Sequence, residues 1–317
     1  MKKIYLSFII GSLFLSISCK KENNTDNIAS KYTVSTLPGS FTGPVAVAVD
    51  ASGNVYVTDG SNRIGKINTN GSVNYSFSGN GAYAMIDGPA QTASFWAPWG
   101  VVNDEQGNIY VADNGNNSIR KVSADGSVIT IAGGGNGNPG YVNGDLSLAR
   151  FNHPYGIAMD ATGQIFITDK DNKKIRKIST SGVVTTVANE FLFSDPLAIS
   201  VDASGNIYVG DFHLIRKISV NGTVSTVGEP GSYYAPTGLA TDRGGNLYFV
   251  NRVNNTINMF SPSATLTKIA GDISGGFADG DGDVAKFAAP MSIALDAAGN
   301  IYVADFGNNK IRKITLK

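Results

Sequence analysis

The stretch FNHPYGIAMDATGQIFITDKDNKKIRKISTSGVVTTVA, residues 151–188, contains four short runs that are rich in β-branched and aromatic residues. Turn-forming residues separate the runs at 161–164, 170–173 and 179–182. Short runs of this kind between turn signals predict four antiparallel strands joined by tight loops. The stretch therefore predicts one small antiparallel sheet, built from strands that are neighbours along the chain.

The pattern of this stretch occurs six times in the chain. The first hairpin turn of every copy opens on an Asp, and these residues are Asp50, Asp104, Asp160, Asp202, Asp242 and Asp296. Gly stands three residues after each Asp, where a tight hairpin turn needs a positive φ, and Tyr or Phe stands six residues after it. Repeats of this kind indicate an array in which each unit buries its faces against its neighbours.

The repeats resemble the NHL repeat, whose motifs read Pro-x-Gly-Ile-Ala-Val-Asp, Gly-Asn-Ile-Tyr-Val-Ala-Asp and Asn-x-x-Ile-Arg-Lys-Ile. Residues 290–314 match these motifs almost throughout, and the resemblance covers residues 31–317. It implies an all-β fold, a six-bladed β-propeller of four-stranded antiparallel blades with one repeat per blade. NHL propellers include enzymes, RNA-binding proteins and protein-binding modules, so the resemblance leaves the function open.

The segment 31–39 looks like the outer strand of a blade without the three strands that should precede it. The last repeat lacks this piece, because only three residues follow Ile314. We therefore expect the N-terminal strand to complete the last blade beside residues 310–314 and so close the ring, which otherwise leaves unpaired strand edges. The alternative is a loose N-terminal strand.

The first 30 residues are expected to lie outside the propeller. Lys2 and Lys3 precede the apolar run 4–17, which is typical of a signal peptide over residues 1–18 and too short to span a bilayer. Residues 15–19 resemble a bacterial lipoprotein box, although Ser16 stands where that family prefers Leu. The resemblance implies lipid attachment at Cys19 and a flexible tether over residues 19–30. The alternative is an ordinary signal peptide followed by an incidental Cys.

A lipid at Cys19 would place the protein in the bacterial cell envelope, on the periplasmic or the cell-surface face of the outer membrane. Membrane contact would then be made through the lipid only. The chain has 25 basic and 25 acidic residues among 317, so its formal net charge of zero gives no reason to expect nucleic acid. We expect a monomer, and the single Cys excludes an intramolecular disulfide.

Metal and cofactor motifs are incomplete. Asp279, Asp281 and Asp283 resemble half of a calcium loop, but Pro290 stands where the full loop needs Glu. A turn-rich loop is the alternative for this segment. His153 and His213 are the only histidines, too few for the zinc site that the resemblance to NHL-type amidating lyases would require. We therefore expect no cofactor, and the three Asp are the only metal candidates.

Two sets of charged side chains repeat with the blades. We expect Asp113 and its equivalents to cap their own loops by accepting backbone N–H groups. We expect the Arg-Lys pairs of the third strands to lay their stems on apolar neighbours and keep their charges in water. These pairs are Arg120-Lys121, Arg176-Lys177, Arg216-Lys217 and Arg312-Lys313.

The residue after the Pro that begins each inner strand should surround the central opening, because inner strands surround the propeller axis. These residues are Val45, Trp99, Tyr155, Leu197, Thr237 and Met291. Trp99 and Tyr155, with Trp96 and His153 nearby, predict an aromatic platform for a ligand. The alternative is that the aromatic rings merely plug the channel mouth.

Long connections precede blades two, three and six, and they share one rim with the aromatic residues. Loops on a rigid scaffold commonly carry function, and the short turns of the opposite rim are expected to leave no room for a pocket. The sequence thus predicts an envelope-anchored binding module whose ligand, a glycan, peptide or protein, lies on the long-loop face. The alternatives are a hydrolase or lyase with its active site on that face, or a structural spacer. No catalytic set is recognised.

Overall fold

The computed structural model describes residues 28–133, 138–229 and 235–317, and this part of the chain forms six antiparallel sheets arranged as a six-bladed β-propeller. The predicted fold is confirmed. The predicted signal peptide and Cys19 lie outside the described residues. Within these residues there is no helix long and apolar enough to cross a bilayer.

Each blade consists of four consecutive strands, except that the last takes its outer strand from the N-terminus. Blade one contains β2 (Pro44–Val49), β3 (Val55–Asp59), β4 (Ile64–Ile67) and β5 (Val73–Ser78). Blade two contains β6 (Pro98–Asn103), β7 (Ile109–Asp113), β8 (Ser118–Val122) and β9 (Val128–Ala132). Blade three contains β11 (Pro154–Met159), β12 (Ile165–Asp169), β13 (Lys174–Ile178) and β14 (Val183–Val187).

Blade four contains β15 (Pro196–Val201), β16 (Ile207–Asp211), β17 (Leu214–Ile218) and β18 (Val224–Val227). Blade five contains β19 (Pro236–Thr241), β20 (Leu247–Asn251), β21 (Thr256–Phe260) and β22 (Leu266–Gly271). Blade six contains β24 (Ser292–Leu295), β25 (Ile301–Asp305), β26 (Lys310–Leu316) and β1 (Tyr32–Thr36). Short strands β10 (Gly144–Asp145) and β23 (Gly280–Asp281) extend blades three and six, and the 3-10 turns are Ile28–Lys31, Asn114–Asn116 and Phe306–Asn308.

The N-terminal strand closes the ring as predicted. β1 pairs antiparallel with β26, in a register that runs from Tyr32 opposite Leu316 to Thr36 opposite Arg312. Its other edge pairs with β23, and Val34 is 1% exposed in the core. The first and last parts of the chain therefore form one blade, which leaves the edge of β26 covered.

The hydrophobic core lies between neighbouring blades. Ile119 of blade two shares a buried cluster with Ile167 of blade three, and Val57 of blade one shares another with Ile311 of blade six. Each blade therefore depends on its neighbours for burial of its apolar faces, as expected for a closed repeat array.

The six repeated Asp hold the hairpin turns of one rim, here called the short-turn rim. Asp50 Oδ1 accepts the N–H groups of Ser52 and Asn54, and its Oδ2 accepts the Asn54 amide and the Tyr56 hydroxyl. The hydroxyl bond recurs in five blades, whereas Phe166 of blade three has no hydroxyl. The repeated aromatic residue thus serves the repeat itself.

The opposite rim, here called the long-loop rim, carries the connections between blades. Each long connection is held by hydrogen bonds from a buried Arg. Arg120 is fully buried; its Nη1 donates to Asp113 Oδ2 at 2.6 Å, and its Nη2 donates to Asp87 Oδ1 at 2.7 Å. Arg176 and Arg312 are buried in the same way. The prediction that these three arginines keep their charges in water is wrong, because the connecting loop folds over each guanidinium.

The repeated Asp beside each Arg also binds the connecting loop. Asp113 Oδ1 accepts the N–H of Trp96 at 2.8 Å, and its Oδ2 accepts the amide of Asn116 at 2.8 Å. Burial raises the pKa of Asp113 to about 6, and Arg120 and these donors oppose that rise. The predicted capping of its own loop by backbone N–H groups is therefore wrong for Asp113: within that loop it accepts the side-chain amide of Asn116, and the backbone N–H that it accepts, that of Trp96, belongs to the loop before the blade.

Candidate functional site

The inner strands surround a central channel of about 320 Å³, which is lined along the length of all six of them. Five of the six residues predicted to surround its long-loop mouth line its wall, namely Val45, Trp99, Tyr155, Leu197 and Thr237. The prediction is wrong for Met291, which is buried, and the wall of blade six begins with Ser292. β24 also begins at Ser292, two residues later in the repeat than the other inner strands.

Trp99 and Tyr155 form a stacked pair at the channel mouth. Their ring centroids lie 4.4 Å apart with an interplanar angle of 28°, and both residues are partly exposed. The Thr58 hydroxyl of the neighbouring blade donates to the Trp99 carbonyl oxygen at 2.6 Å. The backbone of Trp99 is therefore attached to the neighbouring blade, and both rings retain partly exposed surface that a ligand can reach.

A polar cleft of about 270 Å³ adjoins this pair. It is lined by Trp99, Asn114, His153, Tyr155, Lys170 and Asp171. His153 Nδ1 lies 2.8 Å from Asp171 Oδ2, and Lys170 Nζ lies 3.4 Å from Asp171 Oδ1 and 3.3 Å from Asp195 Oδ1. The structure thus brings Trp99, Tyr155 and His153 together and adds charged residues from blades three and four.

Asn114, Lys170 and Asp171 were not predicted from the sequence as site residues. Asn114 and Lys170 directly follow the last residue of the second strand in their blades. This position varies between the repeats, where five residue types occur among six copies, namely Gly60, Asn114, Lys170, Phe212, Arg252 and Phe306. Variation at one position of otherwise regular repeats was the available signal, since positions that serve the repeat tend to stay the same.

Trp96 does not line the cleft. Its ring lies against Gly115, where an added Cβ would come within 2.5 Å of the indole, and it is about half exposed. Tyr141 covers the Arg176 guanidinium at 4.9 Å and contacts Thr186 through its hydroxyl. The predicted neighbourhood of aromatic rings is thus divided between the mouth and the blade edges.

The acidic segment at 279–283 takes part in closing blade six. Asp279 accepts hydrogen bonds from Arg312 and from the hydroxyl of Thr36, and Asp281 Oδ1 lies 2.7 Å from Lys317 Nζ. Among the residues that the structure describes, no group of three or more His, Cys, Asp or Glu could hold a metal ion. Asp279 therefore has a structural use that the half calcium motif did not indicate.

The short-turn rim differs from its prediction. A depression of about 330 Å³ lies between the turns 103–106 and 159–163 of blades two and three, where no room for a pocket was expected. Its lining contains no aromatic side chain. Both rims thus offer a concave surface, and only the long-loop rim combines one with a stacked aromatic pair.

Residues 95–122 match the NHL repeat family, which confirms the predicted resemblance for this repeat, and the six blades confirm the predicted propeller. A curated relative, Protein SUPPRESSOR OF QUENCHING 1, chloroplastic, from Arabidopsis thaliana, is 32% identical over 93 residues. The match covers 29% of this chain and only 9% of that protein, so the chain corresponds to a small part of its relative.

Solved structures of the same fold include enzymes and a binding protein. Virginiamycin B lyase from Staphylococcus aureus is 18% identical with a TM-score of 0.60, covering 90% of this chain and 99% of that one. A gluconolactonase from Xanthomonas campestris is 14% identical with a TM-score of 0.68, covering 90% and 89%. An auxiliary nutrient binding protein from Bacteroides ovatus is 16% identical with a TM-score of 0.68, covering 90% and 76%. At these identities the likeness shows the fold alone.

Proposed function

We propose that this chain is an envelope-anchored binding module whose ligand lies at the long-loop mouth of the propeller. The observation that carries the proposal is the stacked Trp99–Tyr155 pair beside a polar cleft. Concave sites with an apolar wall and a few converging polar groups are the usual form of a ligand site. The Bacteroides ovatus nutrient binding protein, which shares the fold, is consistent with a binding role.

A second candidate function is catalysis of a hydrolase or lyase type at the same cleft. It is favoured by the 2.8 Å contact between His153 Nδ1 and Asp171 Oδ2, because a carboxylate can orient an imidazole as a general base. Mass spectrometry of the ligand after incubation distinguishes the two: a binding module returns it unchanged, and an enzyme returns a product.

The position of Ile28–Lys31 bears on how an anchored propeller would be oriented. Lys317 N–H donates to Lys31 O at 2.9 Å, which links the end of the third strand of blade six to the start of its fourth. The same link in blade two, from Ser123 N–H to Ser127 O at 2.8 Å, lies in the turn between β8 and β9 on the short-turn rim. The chain therefore enters blade six at the short-turn rim. A lipid at Cys19, nine residues before Ile28, would lie at most about 30 Å away and would attach the propeller from its short-turn side.

We expect the substitution Cys19→Ser to release the protein from membranes into the soluble fraction, because the proposal has the lipid on Cys19 as the anchor. Fractionation of cells that produce each form, with mass spectrometry of the N-terminus, measures the effect. Ser18→Ala serves as the control and should stay membrane-bound. Membrane retention of Cys19→Ser, together with a native N-terminus that carries no acyl mass, would contradict lipid anchoring.

We expect Trp99→Ala to weaken ligand retention about tenfold or more, since a buried aromatic anchor typically contributes about 1–3 kcal/mol. The assay is quantitative mass spectrometry of envelope-extract components held by the immobilised propeller. Tyr83→Ala is the matched control, because it removes a largely exposed ring from the same rim outside the cleft. If retention is unchanged in Trp99→Ala but falls in Gln106→Ala, the ligand lies on the short-turn rim instead.

A further inference from the structure

We propose that the cleft beside Trp99 and Tyr155 takes an uncharged sugar ring, an inference that rests on the binding function proposed above. Four properties of the cleft support a sugar: its size, its aromatic wall, its hydrogen-bonding groups and its balance of charge. A hydroxyl in the channel wall adds a fifth, independent argument.

The size of the cleft fits one ring. Its volume of about 270 Å³ lies just below the range of roughly 300–1,000 Å³ that holds drug-sized ligands. A folded protein partner would instead need a specific surface of roughly 800 Å² on this side. The cleft has room for a single sugar ring, and the rest of a longer glycan would pass over the rim.

The aromatic wall suits the C–H face of a pyranose. Trp99 is stacked on Tyr155 at 4.4 Å, so its ring is fixed before a ligand arrives and loses little freedom on binding. An indole presents a large apolar face whose partial negative charge attracts the polarised C–H groups of a sugar. A peptide offers no such face unless it carries an aromatic or aliphatic ring.

The polar groups of the cleft can bind neighbouring hydroxyls. Asn114 Nδ2 donates to Pro154 O at 3.1 Å, which leaves the amide oxygen to accept from a ligand. Asp171 contacts His153 and Lys170 but is 41% exposed, and a carboxylate has about four lone-pair sites. Acceptors and donors side by side are what a vicinal diol requires, because each hydroxyl both donates and accepts.

The balance of charge disfavours an ionic ligand. Lys170 lies between Asp171 and Asp195 and so has its charge compensated on both sides. Partial burial lowers the pKa of Lys170, but Asp195 and Asp171 raise it by more, so it stays protonated. Lys170 is the one Lys or Arg among the described residues that line the cleft, and Arg252, whose charge acts on Tyr155, lies outside that lining. A phosphate or an acidic peptide would therefore meet no unpaired cation in the lining, whereas a neutral ring needs none.

The channel wall offers one more hydroxyl. Thr237 Oγ1 is buried in a residue only 7% exposed, and within the described residues it has no hydrogen-bond partner. Thr237, Trp99 and Tyr155 line the same channel. Because a buried polar group without a partner is unfavourable, a hydroxyl-bearing substituent that enters the channel would satisfy it.

Nuclear magnetic resonance can test the proposal on the folded propeller, because Trp96 and Trp99 are its only tryptophans and give two indole N–H signals. The probes are the methyl glycosides of glucose, galactose, mannose and N-acetylglucosamine, with inorganic phosphate as the charged comparison. We expect at least one glycoside to shift the Trp99 signal and leave that of Trp96 in place, while phosphate shifts neither. Asp171→Asn should weaken the binding of that glycoside at least fivefold, and Tyr83→Ala should leave its binding unchanged.

The envelope-extract assay separates failure of the sugar from failure of the binding function. Periodate cleaves vicinal diols, so a retained component that depends on Trp99 should lose its binding after periodate treatment. If no glycoside shifts Trp99 and the Trp99-dependent component survives periodate, the sugar assignment is wrong while the binding function stands. If no component depends on Trp99, both are overturned.

Discussion

Deletion of residues 31–39 should lower the free energy of unfolding of the propeller by about 4 kcal/mol or more. Burial of Val34 contributes roughly 1.5–3 kcal/mol, and each lost backbone hydrogen bond of β1 contributes about 1 kcal/mol. The deletion also uncovers the edge of β26, which would then be free to pair with another chain. Urea unfolding followed by circular dichroism measures the loss, and light scattering reports the aggregation.

Two point variants in β1 serve as matched controls for this deletion. Val34→Ala removes a side chain that is 1% exposed and should reproduce part of the loss, whereas Ser35→Ala changes an exposed position and should have little effect. An unchanged unfolding midpoint after the deletion would mean that β1 contributes nothing to ring closure.

The second large effect is expected at a buried Arg. Arg176→Met should destabilise the propeller by about 3–5 kcal/mol, because it leaves Asp169 buried without its cation. It also removes donors to Arg150 O and Val142 O, which attach the long loop before blade three. The loop should therefore loosen first, so hydrogen exchange of its amides is the measurement to combine with urea unfolding.

Blade four supplies the control for this prediction. Arg216 occupies the same repeat position, but no long loop covers it; it is 23% exposed and lies 3.7 Å from Asp211. Arg216→Met should therefore lower the free energy of unfolding by less than Arg176→Met does. The double variant Arg176→Met with Asp169→Asn should recover part of the loss, since no buried charge then remains unpaired. Equal losses at Arg176 and Arg216, with no recovery in the double variant, would contradict this account.

These predictions bear on function through the long loops. Residues 140–153 contribute His153 to the cleft, and Arg176 holds that loop against blade three. Loosening the loop should weaken the binding of a ligand at the mouth, even though Arg176 does not contact that ligand. Stability and the proposed binding would thus be coupled through one buried ion pair.

The sequence by itself determined the blades and their order. Short runs rich in β-branched and aromatic residues, Gly in the turns and the six repeated Asp are local features. The strands that they predict pair with strands next to them along the chain, as in β11 to β14. The missing fourth strand of the last repeat and the spare strand at 31–39 also predicted closure, because only one pairing removes both free edges.

Only the tertiary structure decided what happens between distant segments. Whether Arg120, Arg176 and Arg312 are buried depends on loops about 25–35 residues before them, and nothing within their own strands indicates that cover. The cleft likewise combines Asn114, His153 and Asp171 from separate turns. A repeat fixes the strands that all blades share, whereas a site is formed by the side chains that differ between blades, and only their positions in space show which of them meet.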